Sequence, residues 1–310
     1  TASPTFVNVT ATGTVTAQEF HTEFVSASIL YTSGSTKFGD TFDDRHEFTG
    51  SIYVSGSGGH DISLSNNDAG SNNTIFGKNA AKNIDAGSNY NVFIGENVSD
   101  ATMNDAVNNV GIGYIALSEL TTGDENVAMG YSAMGSLTTG NKNVAIGYKP
   151  GNNSTTVSGS VFIGYNAGRS IGTGNNNIAI GNDALNSAAT QDATIAIGVS
   201  ALTALTSGVR NLAVGYIAGA VVADGTDNTL IGYQAGYQTS YGITSGDHNT
   251  ALGSSTLGAS AGAHITGDYN TAIGSNSLLE CQGAVANNTC VGYASGKNIT
   301  TGDKNTLIGT

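Results

Sequence analysis

The 310-residue sequence has no tryptophan, only two prolines and two cysteines, and few charged residues, 11% of the chain. Two cysteines exclude a disulfide scaffold. No stretch approaches the roughly 18 consecutive apolar residues of a membrane-spanning helix, which excludes that class. Among the charged residues the basic ones are the scarcer: 10 Lys and Arg face 23 Asp and Glu, giving a net charge of −13. A chain this acidic lacks the means to neutralise phosphates, which argues against a nucleic-acid partner. Neither a signal peptide nor an initiating methionine is visible, so the chain reads as processed or trimmed. Leu, Ile, Val and Phe make up about a fifth of the residues, close to the range of disordered chains. Glycine, in contrast, is abundant at 44 residues. No Gly-X-Y register accompanies it, so a collagen is excluded as well. Length alone fits two domains.

What the chain does have is a repeat. A five-residue phrase of the form N-[VT]-A-I-G occurs fourteen times, from Asn73–Gly77 to Asn305–Gly309. Its closing glycines stand at 77, 95, 113, 130, 147, 164, 181, 198, 215, 232, 253, 274, 292 and 309. The steps are 18, 18, seven of 17, then 21, 21, 18 and 17. A period this regular marks a solenoid. A helical repeat would need long amphipathic segments, which a short period punctuated by glycine cannot supply.

Each column of the repeat has a physical reading. The residue before the glycine is large and apolar, as at Ile94, Ile112, Ile146, Ile163, Ile180, Ile197, Ile231 and Ile273. These are taken as the structural core of the repeat. The residue two before them is β-branched in thirteen copies, with Leu212 the exception, and β-branching favours strand. The position between is usually Ala, or Phe at Phe93 and Phe162. Both strand faces are therefore apolar. One can fill the coil's own interior, and the other needs a cover, most economically another copy of the chain. Asn opens twelve of the fourteen phrases, Ser160 and Thr194 being the others. Asn91, Asn109, Asn126, Asn143, Asn177, Asn211 and Asn228 are expected to stack as a hydrogen-bonded ladder. Turns such as Thr122-Gly123-Asp124 precede the phrase, and their Asp and Asn are assigned to local turn chemistry. The Y-x-A-[LG] stretch after the glycine, as in Tyr131–Met134, is expected to be a second, shorter strand. The fold class is thus all-β: a parallel β-roll or β-helix of about fourteen coils of 17–21 residues, as a homotrimer, over residues 61–310. Residues 1–60 lack the repeat and alternate in strand fashion, as in Phe6–Ala17. They are expected to form a β-rich stalk or attachment segment that requires oligomerisation.

The copies NVAIGYKPG, NIAIGNDAL and NTAIGSNSL resemble the head domains of trimeric autotransporter adhesins, over about residues 70–310. The forms TTGDENVAMGYSAM and TTGNKNVAIGYKPG are more similar to repeat regions of phage tail fibres. The segment Gly34–Gly56 is similar to segments of structural fibre proteins of marine cyanophages. The resemblance implies trimeric β-rolls in a virion tail fibre, joined to other tail or surface proteins through the N-terminal segment. The same pattern fits a cellular surface adhesin or an extracellular filament subunit, which remains the alternative.

Sites for chemistry are sparse. Phosphate-binding loops, zinc-protease motifs and nucleophile elbows are absent. The histidines, at 21, 46, 60, 248 and 264, are scattered, and no Glu sits beside a His at a repeated position. No catalysis, metal or cofactor is expected, and a polysaccharide-degrading enzyme is the least favoured reading. Cys290 occupies the small column, so a packed thiol is the better reading, with a Cys281–Cys290 disulfide left open. The two 21-residue steps are the informative irregularity, since solenoid insertions become loops on a binding face. They carry Tyr237, Tyr241, His248, His264 and Tyr269, the candidate contacts for a host-surface glycan.

Overall fold

The computed structural model describes residues 70–187, 190–238, 241–259 and 262–310. The expectations for residues 1–60 lie outside the described residues. The fold is all-β, a parallel β-solenoid with no helix among the described residues. Each copy of the phrase forms one three-residue strand: β1 Thr74–Phe76, β2 Val92–Ile94, β3 Val110–Ile112, β4 Val127–Met129, β5 Val144–Ile146, β6 Val161–Ile163, β7 Ile178–Ile180, β8 Ile195–Ile197, β9 Leu212–Val214 and β10 Thr229–Ile231. After a short hairpin, β11 Tyr237–Gln238 and β12 Tyr241–Gly242, the series continues as β13 Thr250–Leu252, β14 Thr271–Ile273, β15 Thr289–Val291 and β16 Thr306–Ile308. These fourteen motif strands pair in chain order in a single sheet. Register follows the phrase, with Val127 opposite Val144, Ala128 opposite Ala145 and Met129 opposite Ile146. Thirteen steps of about 4.8 Å make a stack about 62 Å long.

The interior belongs to the middle residue of each strand. Phe93, Ala128, Ala145, Phe162, Ala179, Ala196, Ala213, Leu230 and Ala251 are all fully buried. Residues three, four and seven after the motif glycine complete it, as Ala133, Met134 and Leu137 do in one coil and Ala201, Leu202 and Leu205 in another. This corrects the assignment of the isoleucine column. Ile94, Ile112, Ile163, Ile180, Ile231 and Ile273 are partly exposed, while Ile146 and Ile197 are exposed, Ile146 by 38%. A three-residue strand turns one side chain inward and two outward. In a coil this short, the small middle column is the one that fits inside.

The expected second strand is also corrected. Tyr131–Met134 and its equivalents are turns, because alternate residues hold positive φ: Ser132 at +51° and Met134 at +47°. Their backbone groups still bond from coil to coil. The Ser132 N–H donates to the Tyr114 carbonyl at 2.9 Å, and the Met134 N–H donates the opposite way to the Pro150 carbonyl at 2.9 Å. The stretch therefore behaves as a ladder without the pleat. The motif glycine makes the corner into it. Gly147 has φ +133°, and a Cβ there would stand 2.4 Å from the Gly164 carbonyl oxygen, so neither the angle nor the space admits a side chain.

Volume is conserved between neighbouring coils. Where the strand centre is Ala179 or Ala196, the fourth residue after the glycine is Leu185 or Leu202. Where it is Phe162, the flanking positions are Gly151 and Gly168, and a Cβ on them would meet the ring at 2.7 and 2.4 Å. A large side chain in one of the two columns is met by a small one in the other, as close packing of the interior requires. Phe162→Ala should therefore cost about 3–5 kcal/mol. Adding Gly168→Leu should recover about half of that loss, because Leu185 and Leu202 occupy the same position at φ +51° and +49°. Denaturant melts of both variants test this; a double variant less stable than the single would refute the complementarity.

The Asn column forms a buried ladder. The Asn109 N–H and Nδ2 donate to Asn91 Oδ1 at 2.8 and 3.1 Å, and Nδ2 also reaches the Gly123 carbonyl at 2.8 Å. Asn126 repeats the pattern onto Asn109 and Gly140, and Asn143 onto Asn126 and Val157. Asn91 bonds to Asn73, Asn228 to Asn211, and Asn211 Nδ2 to the Gly225 carbonyl. Ser160 keeps half of the function: its Oγ accepts the Asn177 N–H at 3.1 Å. Asn126→Ala would leave the Asn143 N–H and the Gly140 carbonyl buried and unpaired, a loss of about 2–4 kcal/mol. Asn126→Ser should lose less, as Ser160 shows; equal melting of the two variants would contradict the ladder's role.

Candidate interaction surface

With the interior filled by the middle column, the other two strand columns form an outward apolar sheet face. It runs from Thr74 and Phe76 to Thr306 and Ile308, with Met129, Ile146, Ile197 and Leu252 among its exposed members. Beside it runs a column of tyrosines, one residue after the motif glycine. Tyr114, Tyr131, Tyr148 and Tyr165 stack in succession with ring centroids 5.6, 5.0 and 5.0 Å apart. Tyr216 and Tyr233 stack at 5.6 Å. The Lys149 ammonium sits over the Tyr131 and Tyr148 rings at 5.6 and 5.3 Å from their centroids. The frequent Tyr after Gly was visible in the sequence. What it does was not, because stacking depends on in-register coils.

The five candidate glycan contacts fall into two separate groups, Tyr237, Tyr241 and His264 in one and His248 and Tyr269 in the other. Tyr237 and Tyr241 lie on the inserted hairpin, where Tyr237 pairs with Gly242 and Gln238 with Tyr241. Tyr241 packs against His264 at 5.3 Å, tilted by 50°. His248 and Tyr269 are elsewhere, in the regular column just before the ladder Asn, and stack at 4.9 Å and 8°. That column also holds Arg210 and Asp227. Arg210 donates from Nε and Nη2 to the two Asp227 oxygens at 2.7 Å each, which holds the Asp227 carboxyl below its ordinary range. His248 Nδ1 lies 3.8 Å from Asp227 Oδ2. Only part of the longer steps is therefore inserted loop. Ile243 returns to the core, and the Thr244 carbonyl accepts the Ala223 N–H at 2.8 Å, so the regular register resumes there.

The turn carboxylates and amides are also reassigned. Asp124 Oδ1 accepts the Val107 N–H at 2.8 Å, Asn141 Oδ1 the Asp124 N–H at 2.6 Å, and Asp268 Oδ1 the Asp247 N–H at 2.8 Å. They bridge coils rather than close their own turns. Among the described residues no group of three or more His, Cys, Asp or Glu side chains could hold a metal ion. No helix among them is long and apolar enough to cross a membrane.

Both thiols are free and buried. Burial pushes the Cys281 thiol up to about 12, with a further contribution from Cys290, whose own thiol is raised by burial. An unfolded thiol ionises near 9.0 and the folded Cys281 only near 12, so this group should lower stability as pH rises through that window and contribute no pH dependence below it. Iodoacetamide at pH 8 should label neither cysteine in the native chain and both after denaturation. Native labelling at the rate of free cysteine would contradict this burial.

No protein-family model matches the chain, and no curated protein is significantly similar to it. An unbranched β-solenoid of this kind is compatible with a fibrous structural protein.

Proposed function

We propose that this chain is a structural shaft, a rigid homotrimeric fibre segment of a phage tail that reaches host-surface glycans and works without catalysis. The observation that carries the reading is the outward sheet face. A stripe about 62 Å long and one strand wide amounts to about 600 Å², at the upper end of what a monomer leaves exposed. Three copies packed on these faces would bury it along one axis and stiffen the rod. The repeat adds length without adding new chemistry, which suits a spacer rather than an enzyme. The virion assignment rests on the resemblance of Gly34–Gly56 and of the TTG-containing repeats to phage fibre sequences, with the N-terminal segment as the attachment to other tail proteins.

Light scattering on the purified chain should give about three times 31.1 kDa. Ile146→Asp combined with Ile180→Asp should shift it towards monomer, since two charges would be buried between chains. The far-UV spectrum should stay that of a β-solenoid, because both side chains point away from the coil interior. A stable 31.1 kDa monomer of the unmodified chain would overturn the trimeric reading.

A further inference from the structure

The tyrosine column is not continuous, and its interruptions are alike. After Tyr165 the column reads Asn182 and Val199 before Tyr216; after Tyr233 it reads Ser254 and Ser275 before Tyr293. In both places two small side chains separate two tyrosines at equivalent positions of the coil. Three coil steps place each pair of rings about 14 Å apart along the rod. Tyrosines inside the ladder have both faces covered by neighbours, and Tyr131 and Tyr148 are each 40% exposed. At the edges of the first gap, Tyr165 and Tyr216 rise to 52% and 51%, the mark of an uncovered ring face. Each gap is therefore a notch with an aromatic wall at both ends.

The floors differ from the walls in being polar or small. Asn182, Val199 and Ser254 are exposed, and their backbone groups are already engaged: the Asn182 carbonyl accepts the Ser200 N–H at 2.8 Å, and the Ser254 carbonyl accepts the Asn276 N–H at 3.0 Å. Beside Tyr165 and Asn182, the Asn166 Nδ2 donates to Asp183 Oδ1 at 3.1 Å, and the buried Asn166 Oδ1 has no hydrogen-bond partner in the chain. Flat apolar walls around a floor of amide and hydroxyl groups match a molecule with C–H faces and a hydroxyl rim. A ring stacked about 4 Å from each wall leaves about 6 Å between the two, room for two sugar rings and no third layer.

We propose that the two notches are saccharide-binding subsites, each taking about two sugar units between its tyrosine walls. Their centres lie four coil steps, about 19 Å, apart, so a single polysaccharide chain running along the rod engages both. This inference rests on the glycan-attachment part of the proposed function and moves the contact from the inserted hairpin to the shaft itself.

The test uses the full chain in its native oligomer on an array of oligosaccharides of two to six residues. Filling both notches, with Asn182→Tyr and Val199→Tyr in one and Ser254→Tyr and Ser275→Tyr in the other, continues the ladder with the residue that seven other coils carry. The filled chain should melt no lower than the unmodified one and bind at least tenfold more weakly to every oligosaccharide the latter recognises. Filling a single notch should weaken binding less. Replacing Tyr237 and Tyr241 by Ala should leave it intact. Equal binding by the filled chain, or loss only in the hairpin variant, overturns the notches while leaving glycan attachment standing. Absence of any binding by the unmodified chain overturns both. Nitration with tetranitromethane gives a second measurement: Tyr165 and Tyr216 should react in the free oligomer and be protected by a bound oligosaccharide, and resistance without ligand also refutes the proposal.

Discussion

Hydrogen bonding from each coil to the next is the constraint on which the rest of this molecule depends. Within a coil of about 17 residues the backbone bonds are short turn closures, such as the Leu137 N–H to the Met134 carbonyl at 3.1 Å, so most backbone groups must be met by the coils above and below. The demand is strict enough to override local preference. Ile115 and Ile217 are β-branched and still adopt φ of +51° and +49°, a region such residues avoid. In return their N–H groups reach the preceding coil, at the Glu96 carbonyl 3.0 Å away and the Val199 carbonyl 2.9 Å away. Where the backbone alone cannot close the ladder, side chains do so. The Asn column serves donors that point one way, and the turn column of Asp124, Asn141 and Asp268 serves donors that point the other.

The parts of this arrangement that recur at a fixed interval could be read directly from the sequence. Fourteen phrases gave fourteen strands in the expected order, because in-register stacking converts a period in sequence into a neighbour in space. Direction within the coil was harder to read. The phrase has apolar residues on both strand faces, and pattern alone does not say which face turns inward. The answer lay in volume: Ala128, Ala145 and Ala179 fit a narrow interior, and isoleucine in every coil would not. The Y-x-A-[LG] stretch misled for a related reason. Its small and apolar residues mimic a strand, but alternating positive φ leaves no mark on composition when Ser, Met and Leu all adopt it.

The aromatic surface was legible only in outline. Tyrosine after the motif glycine was plain in the sequence, as were the longer steps that hold the hairpin. A reading centred on loops drew attention to Tyr237 and Tyr241, one of which packs on His264. His248 and Tyr269 turned out to belong to a regular column rather than to inserted chain. The interruptions at Asn182, Val199, Ser254 and Ser275 carry no local motif, and they acquire meaning only once their neighbours are known to stack.

The Asn ladder has one more consequence, and it concerns direction. Each ladder Asn Oδ1 accepts the backbone N–H of the equivalent residue in the C-terminal coil, while Nδ2 donates to carbonyl groups of that coil and, in most copies, to the preceding Oδ1, so it is the side-chain carbonyls that point the same way along the axis. These bonds from backbone N–H to Oδ1 run from Asn73 to Ser160 and again from Asn211 to Asn305, with the Asn177–Thr194 bond between the two runs. Dipoles joined head to tail polarise one another, as they do in a helix. The rod is therefore an electrical vector as well as a scaffold. Each coil presents side-chain acceptors on its C-terminal side and matching backbone donors on its N-terminal side, so successive coils add in one sense only.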